Sequence, residues 1–322
     1  MLENELRRTS SVDAQAPARP SAPSTRNTDI VTGTLLANAR VLRQHGELSL
    51  ALNLLREASN RDSKNPAVLL PLAEVLEEAG RHGEALKVRQ VMARLSYGFE
   101  NVFQLAQALY RMNRDQEALH SYYEALSLLT EDDPCQFEIH KNMGNIFVRG
   151  GDFEGAEESY NRAYGLNATS DILMVNLGTL EVQRADKGRA LSCFRQAVEI
   201  NPLNEKAWTG LAMIHNEFGD HDLAWGNLER ALDLNPGNRT AVHLAALWAT
   251  RDQSPQRAIP WMEKYLASVE SDEEMSLVLV NLFCSAGHLD LAMIESGRVL
   301  SWNPGREDVK KLRDRLHGLM GE

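Results

Sequence analysis

The sequence predicts an all-α fold: an α-solenoid of antiparallel helix pairs ending in a C-terminal capping helix. Three observations predict it. A small residue recurs as Ala51, Ala85, Ala118, Ala156, Ala190, Ala224, Ala258 and Ala292, at intervals of 34, 33, 38, 34, 34, 34 and 34. Glycine stands five residues before it at Gly46, Gly80, Gly151, Gly219 and Gly287, and proline twelve residues after it at Pro202, Pro236 and Pro304. Between these marks the apolar residues fall at helical spacing. A period of this length belongs to stacked two-helix units, each too small to bury its apolar face alone.

In chain order, residues 1–28 read as a disordered Ala/Pro/Ser-rich tail. From Ser10 to Thr28 the only large aliphatic residue is Val12, and Pro17, Pro20 and Pro23 oppose a helix. Arg7-Arg8-Thr9-Ser10 fits a basophilic kinase site, a pattern common by chance. The repeats follow as eight units: 32–65, 66–98, 99–132, 137–170, 171–204, 205–238, 239–272 and 273–306.

The unit 205–238 shows how each decodes. Trp208, Leu211, Ala212 and His215 lie on one helical face, and Leu223, Ala224, Leu228, Ala231 and Leu232 mark a second. Gly219 supplies the turn between them and Asp220 a cap, while Asn235-Pro236 ends the pair. Small residues at Ala212 and Ala224 let the two helices approach closely. The extra residues Asp133–Gln136 predict a longer connection after the third unit, with Cys135 in it. Unit 239–272 lacks the turn glycine, and Pro260 predicts a kinked second helix after a start at Pro255. Pro71 marks unit 66–98 as a second irregular step. Residues 307–319, EDVKKLRDRLHGL, form an amphipathic helix suited to cap the last apolar surface.

Composition narrows the partners. The 322 residues carry 34 Lys+Arg and 45 Asp+Glu, a net charge of −11. That balance opposes sequence-independent binding to nucleic acid or an anionic membrane. No apolar run reaches spanning length, and the start MLENELRRTSSVDAQ has no export-signal core. Cys135, Cys193 and Cys284 match no zinc or redox spacing. These features predict a cytoplasmic protein without membrane insertion.

The stretches NMGNIFVRGGDFEGAEESYNRAYGLN and NLGTLEVQRADKGRALSCFRQAVEINP, with the recurring alanine and the turn glycines, resemble the tetratricopeptide repeat family over residues 32–306, best in 137–238. The resemblance implies a right-handed superhelix whose concave wall is lined by the first helix of each unit, and a ligand held on that wall. The inward positions offer Lys141, Asn142, Asn145, Arg149, Asn176, Thr179 and Lys206 as a peptide-binding groove. Arg40, Arg43, Glu74, Glu77 and Glu78 occupy the same face in the first two units. Leu244, Leu247, Leu277 and Val278 make it apolar in the last two. Lys141, Asn145, Asn176 and Lys206 match four places of the carboxylate clamp of tetratricopeptide co-chaperones, and Gly210 stands where that pattern has arginine. The asparagines equally resemble the backbone-gripping ladder of the O-linked N-acetylglucosamine transferase repeats.

No phosphate-binding glycine loop, nucleophile elbow or zinc spacing appears. His215 with Asp220, His221 and Asp222 is the nearest approach to a metal site, but His215 fills a packing slot and the aspartates flank a turn. The sequence therefore predicts a non-catalytic scaffold or adaptor without cofactor or metal. Its partner would be a protein or extended peptide bearing an acidic group, and the chain itself a monomer or small oligomer. The alternatives are a self-assembling structural protein and a recognition subunit for a separate catalytic chain.

Overall fold

The structure, a computed structural model, describes residues 25–130 and 133–320. Most of the predicted tail therefore lies outside the described residues. Helix α1 begins at Thr25, two residues after Pro23, where nothing further interrupts a helical ladder. Seventeen α-helices follow one another among the described residues and pack as consecutive antiparallel pairs, which is the fold class the sequence predicts.

The chain divides into two compact units between Leu129 and Thr130. The first holds α1 (Thr25–Gln44), α2 (Leu48–Arg61), α3 (Pro66–Glu78), α4 (His82–Leu95), α5 (Phe99–Arg111) and α6 (Asp115–Ser127). Ala51, Leu55, Leu72, Val75 and Ala85 belong to one buried core there.

The second unit holds α7 (Cys135–Gly150), α8 (Phe153–Leu166), α9 (Asp171–Gln183), α10 (Lys187–Ile200), α11 (Glu205–Phe218) and α12 (His221–Leu234). It continues through α13 (Arg239–Arg251), α14 (Ile259–Ser268), α15 (Glu273–Ser285), α16 (Leu289–Trp302) and α17 (Glu307–Met320). Leu316 of α17 joins the same buried cluster as Leu279 and Phe283 of α15, so the last helix covers apolar surface as a cap must.

The recurring alanines are fully or almost fully buried, which is why a larger residue is absent at those places. The turn position, five residues earlier, takes a left-handed backbone in all eight pairs. Five of these are glycines, and Asn113, Ala185 and Gln253 adopt the same conformation with φ of 55°, 61° and 53°. Losing the glycine thus leaves the turn geometry unchanged, because packing of the two helices fixes it at the cost of local strain.

Three local expectations are corrected. Pro260 does not kink a helix: a short 3₁₀ turn at Pro255–Arg257 precedes α14, which starts at Ile259 with Pro260 in its first turn. Helix α3 runs unbroken through Pro71. Cys135 and Gln136 belong to α7 rather than to the connection, and the Asp133 carboxylate accepts the Cys135 N–H at 2.8 Å. Asp220 also differs from expectation. Asp152 and Asp186, at the equivalent place, accept helix N–H groups at 2.9 Å, whereas the Asp220 side chain caps nothing.

Candidate functional site

Within the second unit, α9 touches both α7 and α11, so the first helices of three consecutive pairs make one wall. Gly144 shapes its start. A Cβ there would stand 2.3 Å from the Tyr160 ring, so only glycine lets α8 bring that ring against α7. The Tyr160 hydroxyl then donates to Asn145 Oδ1 at 2.7 Å, and Asn176 Nδ2 donates to the same oxygen at 2.9 Å. Asn145 and Asn176, one unit apart in sequence, are joined by this bond. The tyrosine fixes the amide's orientation from behind.

The other expected residues divide. Lys141 turns back on its own helix: its ammonium bonds Glu138 at 2.5 Å, lies over the Phe137 ring and is only 12 % exposed. Asn142 is buried, and Arg149 lies exposed in the last turn of α7. Thr179 and Lys206 line a cavity of about 340 Å³ between α9, α11 and the start of α13. Gly210, the place of the missing clamp arginine, lines it too. A Cβ there would meet the Phe194 ring at 2.5 Å, so no arginine fits that position. The wall thus carries an amide pair at one end and a lysine beside a cavity at the other.

In the first unit the charged face closes on itself. Arg43 bonds both Glu74 and Glu78, and these contacts hold its guanidinium above the ordinary range. Glu77 accepts from Arg89 at 3.0 Å and Arg111 at 2.9 Å. Glu74, Glu77, Gln104 and Arg111 border a polar basin of about 580 Å³. The acidic residues of this face are therefore paired, Glu74 and Glu78 with Arg43 of the preceding helix pair and Glu77 with Arg89 of its own pair and Arg111 of the next. Opposite charges 34 or 35 residues apart are the signal for two of these pairs, Glu77–Arg111 and Arg43–Glu78.

Burial pushes the Cys193 and Cys284 thiols up, away from the thiolate. His215 is buried in α11 with its Nδ1 3.6 Å from Asp220. Burial lowers the His140 imidazole, helped by Arg162 and opposed by Glu158. Among the described residues no cluster of His, Cys, Asp and Glu has the makings of a metal site, and no helix is long and apolar enough to cross a membrane.

A family model described as the FAT domain matches residues 22–281, most of the chain and both of its compact units. The chain belongs to the FAT domain family. No curated protein matches this FAT domain chain in sequence. Solved structures resemble it in fold. PilF of Pseudomonas aeruginosa is 15 % identical over 67 % of this chain and 97 % of its own, with a TM-score of 0.52. Cut9, from the APC/C hetero-tetramer Cut9-Hcn1, is 17 % identical over 77 % of this chain and 48 % of its own, with a TM-score of 0.56. PilW, a type IV pilus biogenesis factor, is 19 % identical over 66 % and 97 %, with a TM-score of 0.53. The FAT domain chain is thus built as a tetratricopeptide-type helical repeat array.

Proposed function

We propose that the chain is a non-catalytic adaptor that holds an extended peptide of a protein partner along the wall of α7, α9 and α11. The observation that carries this reading is the Asn145–Asn176 bond, with Tyr160 behind it. It leaves the Asn176 amide oxygen for a peptide N–H, and amide groups set at successive helix pairs match the hydrogen-bonding groups of an extended backbone. Lys206 is exposed farther along and has no ion-pair partner among the described residues, which suits an acidic group on the peptide. With Lys141 held by Glu138 and no arginine at Gly210, the grip is an amide ladder with one cation rather than a full clamp. Three free thiols on separate helices accord with a reducing, cytoplasmic setting. The test is capture of partners from native lysate by the wild-type chain and by the Asn176→Ala/Lys206→Ala variant. Neither side chain holds the core together, so loss of capture with an unchanged melting temperature is the expected result. Full capture by the variant would place the partner elsewhere.

A second reading, self-association, is favoured by one observation. Val41 on α1 is 51 % exposed, while its counterparts Val75, Leu180, Ile214 and Leu282 are at most 1 % exposed. Light scattering of the wild type and Val41→Glu over a range of concentrations decides it: a concentration-independent monomer removes this reading.

A further inference from the structure

We propose that the recess between α4 and α6 in the first unit is a small-molecule site, one that takes an uncharged heteroaromatic ring of the nucleobase kind. It does not depend on the peptide-groove reading, since every residue lining it belongs to the first unit. Helices α4 and α6 both pack on α5, and the recess of about 610 Å³ lies between them with Val102, Leu105 and Leu109 of α5 as its floor. That volume is ordinary for a small-ligand pocket. The sequence makes room for it. Eight residues after the recurring alanine, α12 and α14 carry Leu232 and Leu266, both buried, whereas α4 carries Ala93, which lines the recess.

The rim sets the charge and the edge of the ligand. Its two carboxylates are already engaged: Glu117 accepts from Arg114 at 2.6 and 2.7 Å, and Glu124 accepts from the Tyr97 hydroxyl, which pushes the phenol up. Arg94 lines the same rim, so Arg94 and Arg114 balance Glu117 and Glu124 and the site favours neither sign of charge. The side chains of Gln90 on α4 and of Gln116 and His120 on α6 make no hydrogen bond among the described residues. Neither does the Ser121 hydroxyl, although that residue is only 5 % exposed. Each amide sets a donor beside an acceptor, the arrangement that pairs with a ring edge carrying the complementary two groups. Tyr97, 64 % exposed, offers an aromatic face for stacking. An aliphatic floor, a balanced rim and an amide on each wall select a flat uncharged ring over an ion. The net charge of −11 repels the phosphates of a nucleic-acid strand, so the ring belongs to a small molecule.

The test is calorimetric titration of the whole chain with adenosine, guanosine, cytidine and uridine, each also as its monophosphate. Binding of at least one nucleoside, no tighter as the monophosphate, is the expected result. Ala93→Leu installs the side chain that α12 and α14 carry at this place and fills the recess, while Gln90→Ala/Gln116→Ala removes both amides. Each change should weaken the nucleoside about tenfold or more. The two glutamines bond nothing else among the described residues, so the double variant keeps its melting temperature even if Ala93→Leu does not. Wild-type affinity in either folded variant overturns the site. A monophosphate that binds while its nucleoside does not also overturns it, because the phosphate and not the ring is then recognised. Failure of all four nucleosides to bind at millimolar concentration does the same.

Discussion

Ala185 holds the same left-handed backbone as Gly219, the turn residue one period later: φ is 61° at the alanine and 85° at the glycine. An L-residue with a Cβ is strained there by about 1–2 kcal/mol. Glycine relieves that strain, and its freer unfolded chain costs back about 0.5–1 kcal/mol. Ala185→Gly should therefore stabilise the second unit by up to about 1 kcal/mol. The reverse change, Gly219→Ala, should destabilise it by a similar amount. Urea-midpoint shifts in opposite directions check the pair, and a destabilised Ala185→Gly would mean that the alanine makes a contact worth more than the strain.

Why the array was legible while parts of the site were not follows from the range of the interactions. Helix ends and turns are written locally, by Gly219, by Asn-Pro at 235–236 and by small residues at the crossing points, so the paired helices could be read directly. The strain at Asn113, Ala185 and Gln253 is small beside the packing of two helices, so the turn survives there without its marker. The site depends on neighbours that the 34-residue period does not mark, some on the same helix and some on another. Lys141 sits at a clamp place by spacing, yet Glu138 three residues back and the Phe137 ring take its ammonium. The cavity beside Lys206 exists because Phe194, on a different helix, stands under Gly210. Spacing along one helix carries no trace of that ring.

Gly210→Ala tests the close approach directly. The new methyl group collides with a buried ring held between Gly178 and Gly210, and such overpacking costs about 1–3 kcal/mol. Combining it with Phe194→Leu should recover part of the loss, since the smaller side chain vacates the contested space. Thermal unfolding of the single and double variants measures the coupling. An unperturbed Gly210→Ala would show that the ring moves aside freely and that the cavity it lines is not rigid.

Arg89 is buried in α4 and its charge is met by Glu77. Removing the carboxylate with Glu77→Gln leaves a guanidinium with little access to water and should cost about 2–4 kcal/mol. Replacing both partners, as in Glu77→Leu/Arg89→Met, should cost much less, because burying two apolar side chains carries no charge-desolvation penalty. A double-mutant cycle by urea unfolding separates these outcomes; equal losses in the single and double variants would make the pair incidental.

Asp272 caps α15 through the Met275 N–H at 3.1 Å and accepts from Arg239 at 2.7 Å and Tyr265 at 2.8 Å. These bonds, the arginine's foremost, outweigh burial and bring its carboxyl down from 3.8 to about 2. A folded pKa below the unfolded one means that the folded state favours the ionised form. Its contribution is complete above about pH 4 and fades as the pH falls toward 2, because the unfolded chain takes up the proton first. Arg239 is half exposed, so solvent screening limits the effect to about 1–2 kcal/mol. Asp272→Asn keeps a side-chain oxygen for the cap but has no proton to gain. The difference in urea midpoint between wild type and Asp272→Asn should therefore be largest at neutral pH and shrink between pH 4 and pH 2. A difference that stays constant across that window would mean that the cap and not the ion pair supplies the stability.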